Sequence, residues 1–342
     1  MVYLFMYRII INQKTAGDQA VTNMYLNIIR SAITKNFYEC EIGRNAKGLN
    51  KKKDVLVFDE CKVAFKYIIR GYKNIFVWTQ GIVPEEAIMQ GYPIYRYWIH
   101  SMFEFITLKK AKLVFLCSNA MKQHYEHKYN IKLSEKCIIM PCFNEECVDE
   151  KSFMDSNKYK NNTFLYVGSL NAWQCFDETV ELYKKIEEKT NGNSKLYVFT
   201  NEKEKAVEIL SRFSINNYEV GYVPACELGK KLKSIKYGFV LRKECAVNNV
   251  ATPTKISNYL SHGIIPIYSS CLKSFDDFNK RTGNNGLVFD INNTDIDTII
   301  SEISAEKNIS IIKKWCYNAF KTYYNKEKYI AKIARKIKKI SF

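Results

Sequence analysis

Residues 237–268 read YGFVLRKECAVNNVATPTKISNYLSHGIIPIY and carry the clearest fold signal in the sequence. An apolar run of strand length ends at Leu241, and a polar loop then leads into a helix-like segment from Pro253 to Ser261. After Gly263 a second apolar run, Ile264 to Tyr268, has the length and composition of another strand. Two strands joined through a helix predict a parallel pair, because such a crossover returns the chain in the same direction.

The same alternation of strand-like and helix-like segments continues on both sides and predicts the α/β class. Two doubly wound, Rossmann-like units in tandem are the simplest arrangement, and a chain of 342 residues is long enough for two domains. We assign residues 1–155 to the first domain and 156–315 to the second, with the polar segment Glu145–Asn162 as the linker. A helix is predicted from Asp18 to Ile33. The predicted strands are Val2–Ile11, Asp54–Phe58, Asn74–Trp78, Lys112–Leu116, Cys137–Met140, Thr163–Val167, Lys195–Thr200, Tyr218–Val223, Tyr237–Leu241, Ile264–Tyr268 and Gly286–Phe289.

Composition excludes several classes of protein. With 47% hydrophobic and 25% charged residues the chain is that of a folded globular protein and not of a disordered one. Apolar runs fall short of the ~20 residues that cross a bilayer, and the first residues lack a basic leader. The 11 scattered cysteines are typical of reduced core residues. We therefore expect a cytoplasmic protein.

The net charge of +17 calls for an anionic partner, which can be nucleic acid, a membrane surface or a phosphorylated small molecule. Residues 329–340 predict a basic amphipathic helix, with Ile330, Ile333, Ala334, Ile337 and Ile340 on one face. Two alternatives stay open for this helix: it docks on its own domain, or it lies on an anionic membrane surface.

The strongest candidate site surrounds the loop between the two strands of residues 237–268. Thr252 fits the N-cap of the following helix and Pro253 its first turn, so the amides of Thr254 and Lys255 would be free to bind an anion. Arg242 and Lys255 add two cations, and the sequence therefore predicts a diphosphate site here. An ordinary capped helix with surface cations is the alternative.

Two weaker candidates also follow predicted strands, where ligands bind in open parallel sheets. Gly168, Ser169 and Asn171 can bring a backbone turn and hydrogen-bond donors to a phosphate, or they form a plain tight turn. Gln80 and Gly81 can hold a sugar or acceptor, or they belong to an apolar loop. His124 and His127 are three residues apart but lack a matching carboxylate or cysteine pair, so no metal is expected.

At these segments the chain resembles the GT-B glycosyltransferases, and specifically the family 4-like enzymes of bacterial surface polysaccharide synthesis. The resemblance spans most of the chain in order and is carried by Arg242, Asn248, Val250, Ala251, Pro253 and Lys255, by the run from Asn258 to Ile267, by Tyr166–Leu170, by Trp78, Gln80, Gly81 and Pro84–Glu86, and by Cys117–Met121.

This resemblance implies a metal-independent transfer, usually with retention of configuration, from a nucleotide diphosphate sugar held by the second of two domains that face a cleft. Arg242 and Lys255 would be catalytic because they neutralise the leaving diphosphate. In related enzymes the last helix, here within residues 316–342, can return to the first domain. The implied donor-binding residues are Gly168, Ser169, Asn171, Glu244, Asn248, Thr252, Pro253, Thr254 and Asn258, and those of the acceptor or sugar cleft are Gly17, Gln80 and Gly81.

Two positions depart from the family pattern. Asn258 stands where a glutamate usually binds the nucleotide ribose, and Val250 occupies the position of the paired upstream glutamate. Asn258 can still hydrogen-bond a ribose hydroxyl, but without charge.

The predicted function is transfer of a sugar to a saccharide or lipid-linked acceptor, with the protein peripheral at the inner face of the plasma membrane. Two alternatives are a nucleotide-sugar epimerase of the same fold and a basic membrane or nucleic-acid adaptor with a degenerate sugar site. The first needs placed acid and base carboxylates that the sequence does not offer. No nucleic-acid partner is expected, because the chain carries no recognised motif for one.

Overall fold

The structure is a computed structural model that describes residues 6–11, 20–155, 157–291 and 293–342. It divides into two compact units. Unit 1 comprises residues 1–144, 249–252 and 325–342, and unit 2 comprises residues 145–248 and 253–324. The predicted helix start at Asp18, with Gly17 before it, and the first four residues of the predicted strand Val2–Ile11 lie outside the described residues.

Unit 1 is built on a sheet of six described strands, all parallel, in the order β2-β1-β3-β4-β5-β6. Its central strands are buried on both faces, which explains their continuous apolar runs. The strands are β1 Tyr7–Ile10, β2 Cys40–Gly43, β3 Val55–Phe58, β4 Asn74–Thr79, β5 Leu113–Leu116 and β6 Cys137–Ile139, and the helices among them are α1 Ala20–Thr34, α2 Cys61–Ile69, α3 Val83–Met89, α4 Ile94–Lys110 and α5 Asn119–Tyr129.

Unit 2 repeats the plan with the order β12-β11-β10-β7-β8-β9, again parallel throughout. The strands are β7 Asn162–Val167, β8 Ser194–Phe199, β9 Tyr218–Gly221, β10 Tyr237–Val240, β11 Ile265–Tyr268 and β12 Leu287–Val288, and the helices are α6 Phe176–Lys189, α7 Lys203–Arg212, α8 Ala225–Leu232, α9 Ala246–Val250, which ends in residues of unit 1, α10 Lys255–Ser261, α11 Lys273–Arg281, α12 Ile296–Ser304 and α13 Ile309–Asn318. The predicted α/β class with two Rossmann-like units is confirmed.

The segment predicted as a linker is packed against unit 2. It contains a turn of 3-10 helix, Glu150–Phe153, and the hydroxyl of Tyr159 donates to the carbonyl oxygen of Gly263 at 2.7 Å. Gly263 has a φ of +65°, and a Cβ there would lie 2.5 Å from the Phe153 ring, so this close approach requires glycine. The packing of Phe153 and Tyr159 could not be predicted from the polar composition of the segment.

The last helix, α14 Lys326–Ile337, belongs to unit 1 and packs against α1. Its apolar residues Ile330, Ile333, Ala334 and Ile337 are buried, and the side chain of Asn36 donates to the carbonyl of Ala334 at 2.9 Å. Of the two alternatives for this helix, docking on its own domain is therefore correct. Its apolar face is not available to a membrane. No helix in the described ranges is long and apolar enough to span a bilayer.

Candidate functional site

The candidate site of unit 2 lies where the strand order reverses. The first strand of this unit, β7, pairs with β8 on one side and with β10 on the other, which is the topological switch point of a doubly wound sheet. Gly168 directly follows β7, and Arg242 lies two residues beyond the end of β10. The fold therefore brings two of the predicted residues to the edge of the sheet where ligands bind.

Arg242 and Lys255 converge on one oxygen atom. The guanidinium of Arg242 donates to Oε1 of Gln174 at 2.6 Å, and Nζ of Lys255 donates to the same oxygen at 2.7 Å. Arg242 is 5% exposed and is held by further bonds to the carbonyls of Leu241 at 2.7 Å and Gln174 at 3.3 Å. Lys255 also lies over the ring of Tyr166, 4.7 Å from its centre. The two cations are thus fixed next to each other.

Neither of these cations has a carboxylate as a counter-ion in the described part of the chain. Burial lowers the pKa of Lys255 well below its usual range, and the neighbouring charge of Arg242 lowers it further. Burial lowers the pKa of Arg242 as well. Two adjacent like charges that only an amide oxygen bridges are costly without an anion, so the arrangement is suited to bind one.

Gly168 makes room for this pair. Its φ is +128°, a conformation that side-chain-bearing residues rarely adopt, and a Cβ would lie 2.9 Å from Cε and Nζ of Lys255. Next to it, Ser169 accepts a hydrogen bond from Asn171, Nδ2 to Oγ at 2.9 Å, and its carbonyl accepts one from Tyr166 at 2.7 Å. Gly168, from the weaker of the predicted phosphate-binding segments, therefore lies next to Lys255 of the stronger one.

The helix that was predicted to begin at Thr252 and Pro253 begins later. α10 starts at Lys255, Thr254 precedes it in helical backbone conformation, and no side chain caps it. The N-cap assignment of Thr252 is wrong, because its hydroxyl instead accepts the amide of Cys142 at 2.9 Å within unit 1. The helix begins two residues later than predicted, about half a turn, so the side-chain cations and not its N-terminus dominate this site.

Three other predicted donor contacts have different surroundings. Asn248 is buried and its side chain donates to the carbonyl of Lys243 at 2.8 Å, which is a local structural bond. Glu244 is exposed. Asn258 is 8% exposed and its Oδ1 has no hydrogen-bond partner in the structure, which is unusual for a buried polar atom and leaves an acceptor for a ligand hydroxyl.

Sequence reasoning missed Gln174, which lies in a 3-10 turn, Ala172–Gln174, after β7. Gln174 is one of two amide side chains, with Asn171, between Leu170 and Phe176, and the sequence alone does not reveal its partners.

In unit 1, Gln80 and Gly81 follow β4 and line a cavity of about 480 Å³. The side chain of Gln80 donates to the hydroxyl of Thr22 at 3.2 Å, and the carbonyl of Gly81 accepts from Tyr125 at 3.0 Å. Gly17, the third residue predicted here, lies outside the described residues. His124 pairs with Glu85 at 3.3 Å, and within the described ranges no three His, Cys, Asp or Glu side chains are grouped so as to hold a metal ion.

Comparison with known proteins supports the fold. No protein-family model and no curated protein matches the sequence. Among solved structures the chain is similar to the apo form of WaaB, a lipopolysaccharide outer core galactosyltransferase, with a TM-score of 0.63 and 15% identity over 97% of this chain and 98% of that one. It is also similar to WaaG, a glycosyltransferase involved in lipopolysaccharide biosynthesis, with a TM-score of 0.60 and 11% identity over 96% of this chain and 99% of that one.

A third similar structure is a mutant of TarM from S. aureus in complex with fondaparinux, alpha-GlcNAc-glycerol and UDP, with a TM-score of 0.61 and 12% identity. The match covers 83% of this chain but spans only 55% of TarM. At such low identities the likeness shows the fold: the chain has the GT-B architecture of these proteins, and the resemblance drawn from the sequence motifs is confirmed at that level.

Proposed function

We propose that this protein is a glycosyltransferase that takes a sugar from a nucleotide diphosphate donor. The observation that carries the proposal is the pair of cations, Arg242 and Lys255, that share Gln174 Oε1 at the switch point of unit 2 without a carboxylate partner. A donor diphosphate would displace the amide oxygen and supply the missing negative charge. The similarity in fold to WaaB, WaaG and TarM supports the same conclusion.

The proposed chemistry is electrostatic. When the bond between the sugar and the diphosphate breaks, negative charge builds up on the leaving oxygen, and two fixed cations stabilise that charge more strongly than they stabilise the intact donor. Since these side chains supply the positive charge, no metal is needed in the proposed reaction. Asn258 would accept a hydrogen bond from a ribose hydroxyl through its unpaired Oδ1. Retention of configuration is part of the proposal and derives from the family resemblance.

The test is a set of calorimetric titrations with UDP, GDP, ADP and the corresponding nucleotide sugars. We expect one of the three nucleoside diphosphates to bind with a Kd in the micromolar range. The intact nucleotide sugar with the same base should bind at the same site. Incubation of that donor with candidate acceptors then identifies the transferred sugar by mass spectrometry. Absence of binding for every nucleoside diphosphate would refute the proposal.

The acceptor in this proposal is a saccharide or lipid-linked saccharide of cell-surface glycan synthesis. The ligands in the TarM complex and the roles of WaaG and WaaB in lipopolysaccharide synthesis support this choice. The epimerase alternative lacks support, because Glu178 and Glu202, carboxylates of the same unit, are engaged with Lys243 and with the amide of Leu170. The adaptor alternative does not explain why two cations are buried together.

An anionic membrane surface is a proposed partner, and α4 offers the surface for it. The exposure of this helix is the reverse of the usual pattern. Its buried side chains include the polar residues Ser101, Glu104 and Thr107, whereas large apolar side chains are exposed. We name the outward set the apolar stripe; it comprises Ile94, Tyr95, Trp98, Ile99 and Met102, which are 44–66% exposed. Positions 95, 98, 99 and 102 follow helical spacing, so they form one continuous surface.

Cations accompany the apolar stripe. Arg96 lies on the same helix, 4.5 Å from the Tyr92 ring centre. Lys62 and Lys66 of α2, which packs against α4, are exposed, and so is Arg70 directly after α2. Aromatic residues flanked by cations are typical of a surface that enters the headgroup region of an anionic bilayer. A second copy of this chain is disfavoured as the partner because each copy carries a net charge of +17.

We expect the double variant Tyr95→Ser/Trp98→Ser to bind phosphatidylglycerol vesicles about tenfold more weakly than the native protein. The variant lacks most of the aromatic surface that the bilayer would bury. Co-sedimentation measures this. Tyr222→Ser is the matched control, since Tyr222 is 59% exposed but lies in unit 2. Equal losses in both variants, or binding to phosphatidylcholine alone that is just as strong, would contradict the assignment.

A further inference from the structure

The cavity of unit 1 contains an unsatisfied carboxylate. Asp59 directly follows β3, which pairs with β1 at the switch point of this sheet, so it occupies in unit 1 the kind of position that Arg242 occupies in unit 2. It lines the cavity of about 480 Å³ together with Gln80 and Gly81 after β4 and with His100 and Phe103 of α4. The volume lies in the range of small-molecule sites and can hold one or two sugar rings.

Asp59 is 5% exposed, and neither of its carboxyl oxygens has a hydrogen-bond partner in the structure. The buried carboxyl of Glu104, in contrast, has hydrogen-bond partners. It accepts from Tyr129 at 2.7 Å and from Tyr125 at 3.4 Å, and Lys128 lies 3.6 Å away. Buried polar groups are nearly always paired, so a carboxyl that faces a cavity with both oxygens open indicates a missing donor.

The charge of the cavity lining indicates which kind of hydrogen-bond donor is missing. Glu60, Glu86 and Glu104 line it beside Asp59, and the lysine in its wall, Lys62, is exposed. Burial raises the pKa of Asp59 to about 6 and that of Glu104 to about 7, and it also raises the pKa of Glu86. His100, whose pKa burial and the nearby Lys62 and Arg96 lower, adds no positive charge at neutral pH. The cavity is therefore acidic although the chain as a whole is strongly basic.

We propose that this cavity binds a saccharide bearing an ammonium group, an amino sugar, with the Asp59 carboxylate as the acceptor for that ammonium. The partly exposed ring of Phe103 forms a wall against which a sugar ring can pack. Asp59, with Glu60 and Glu86 in the same cavity lining, disfavours an anionic ligand, so the two units select opposite charges: unit 2 a diphosphate and unit 1 a cation. Assigning this amino sugar the role of acceptor rests on the proposed function, but its binding does not.

The test uses probes that differ in one group. D-Glucosamine and D-glucose differ at a single ring position, ammonium against hydroxyl, and D-glucuronate adds a negative charge instead. In calorimetric or NMR titrations of the full chain at pH 7, without nucleotide, we expect glucosamine to bind at least about tenfold more tightly than glucose, and glucuronate not to bind.

Asp59→Asn keeps the size of the side chain and removes its charge. We expect it to reduce the preference for glucosamine over glucose to less than about twofold, while nucleoside diphosphate binding stays as in the native protein. Glu135→Gln, at an exposed carboxylate of the same unit, should leave the preference intact. Thermal unfolding confirms that both variants are folded.

Equal affinities for glucosamine and glucose, a preference for glucuronate, or a preference that survives in Asp59→Asn would each overturn the inference. If glucosamine is selected through Asp59 but no nucleoside diphosphate binds, the proposed function fails and the cavity assignment stands. If nucleoside diphosphates bind and none of the three sugars does, the cavity assignment fails and the proposed function stands.

Discussion

Replacing Lys255 with methionine is expected to weaken the binding of the nucleoside diphosphate about 100-fold and to make the unliganded protein more resistant to heat. The affinity falls because a fixed cation that would contact the diphosphate is gone and Arg242 is left alone with Gln174. The stability rises, by about 1 kcal/mol, because the folded protein no longer has to hold two adjacent cations without a counter-ion. A residue with a purely structural role would lose stability on the same change.

Calorimetry measures the affinity and thermal unfolding measures the stability of the same samples. Lys236→Met is the matched control: Lys236 is 4% exposed in the same unit, burial lowers its pKa to about 8, and it lies against Tyr237 and not at the switch point. We expect this control to bind the diphosphate normally. If both variants lose affinity equally, Lys255 does not act at the diphosphate.

The pH dependence of Lys255 has a definite sign. Its folded pKa lies below its unfolded value of 10.5, so between the two the unfolded chain binds more protons and the unliganded protein gains stability as pH rises. A bound diphosphate raises this pKa, so binding takes up a proton and affinity falls as pH rises through that interval. Titrations in buffers of different ionisation enthalpy measure the proton uptake, and it should vanish in Lys255→Met.

Ile333→Ala is expected to lower the free energy of unfolding by about 3 kcal/mol. Ile333 is fully buried, and α14, which carries it, packs on α1, so truncation leaves a cavity in the core of unit 1. Arg335→Ala, two residues along on the exposed side of the same helix, should change the stability by less than about 0.5 kcal/mol. Denaturant unfolding monitored by circular dichroism compares the two.

This pair of variants also separates the two roles considered for the last helix. If Ile333→Ala leaves stability unchanged but weakens vesicle binding, the apolar face contacts lipid and the packing seen in the structure is wrong. Loss of stability with unchanged vesicle binding by the folded fraction supports the docked helix.

Much of the fold could be predicted because the buried parallel strands are short apolar runs separated by helices. Strands such as Val55–Phe58 and Leu113–Leu116 are buried along their whole length, so their sequences carry the signal directly. The strand Cys40–Gly43 was missed because it lies at the sheet edge, where Glu41 and Ile42 are exposed and no apolar run forms. The inverted exposure of α4 could not be predicted either, since a helical pattern does not say which face is covered.

The candidate site was predictable only in part. Arg242 and Lys255 could be singled out from charge and position, but their meeting at Gln174 depends on a contact across 68 and 81 residues of chain. Thr252 fits a capping pattern, yet its hydroxyl is taken by Cys142, 110 residues away. Asp59 carries no sequence signal, because what distinguishes it is the absence of partners in the folded unit.

The division of the chain has a consequence for how the protein is made. Unit 1 needs residues 249–252 and 325–342 as well as the first 144, so α1 can meet α14 only after all of unit 2 has been synthesised. Unit 2 ends at Tyr324 and is available for folding earlier, which reverses the usual order in which N-terminal domains fold first during synthesis. Until residues 325–342 emerge, the face of α1 that α14 covers stays open to chaperones and proteases.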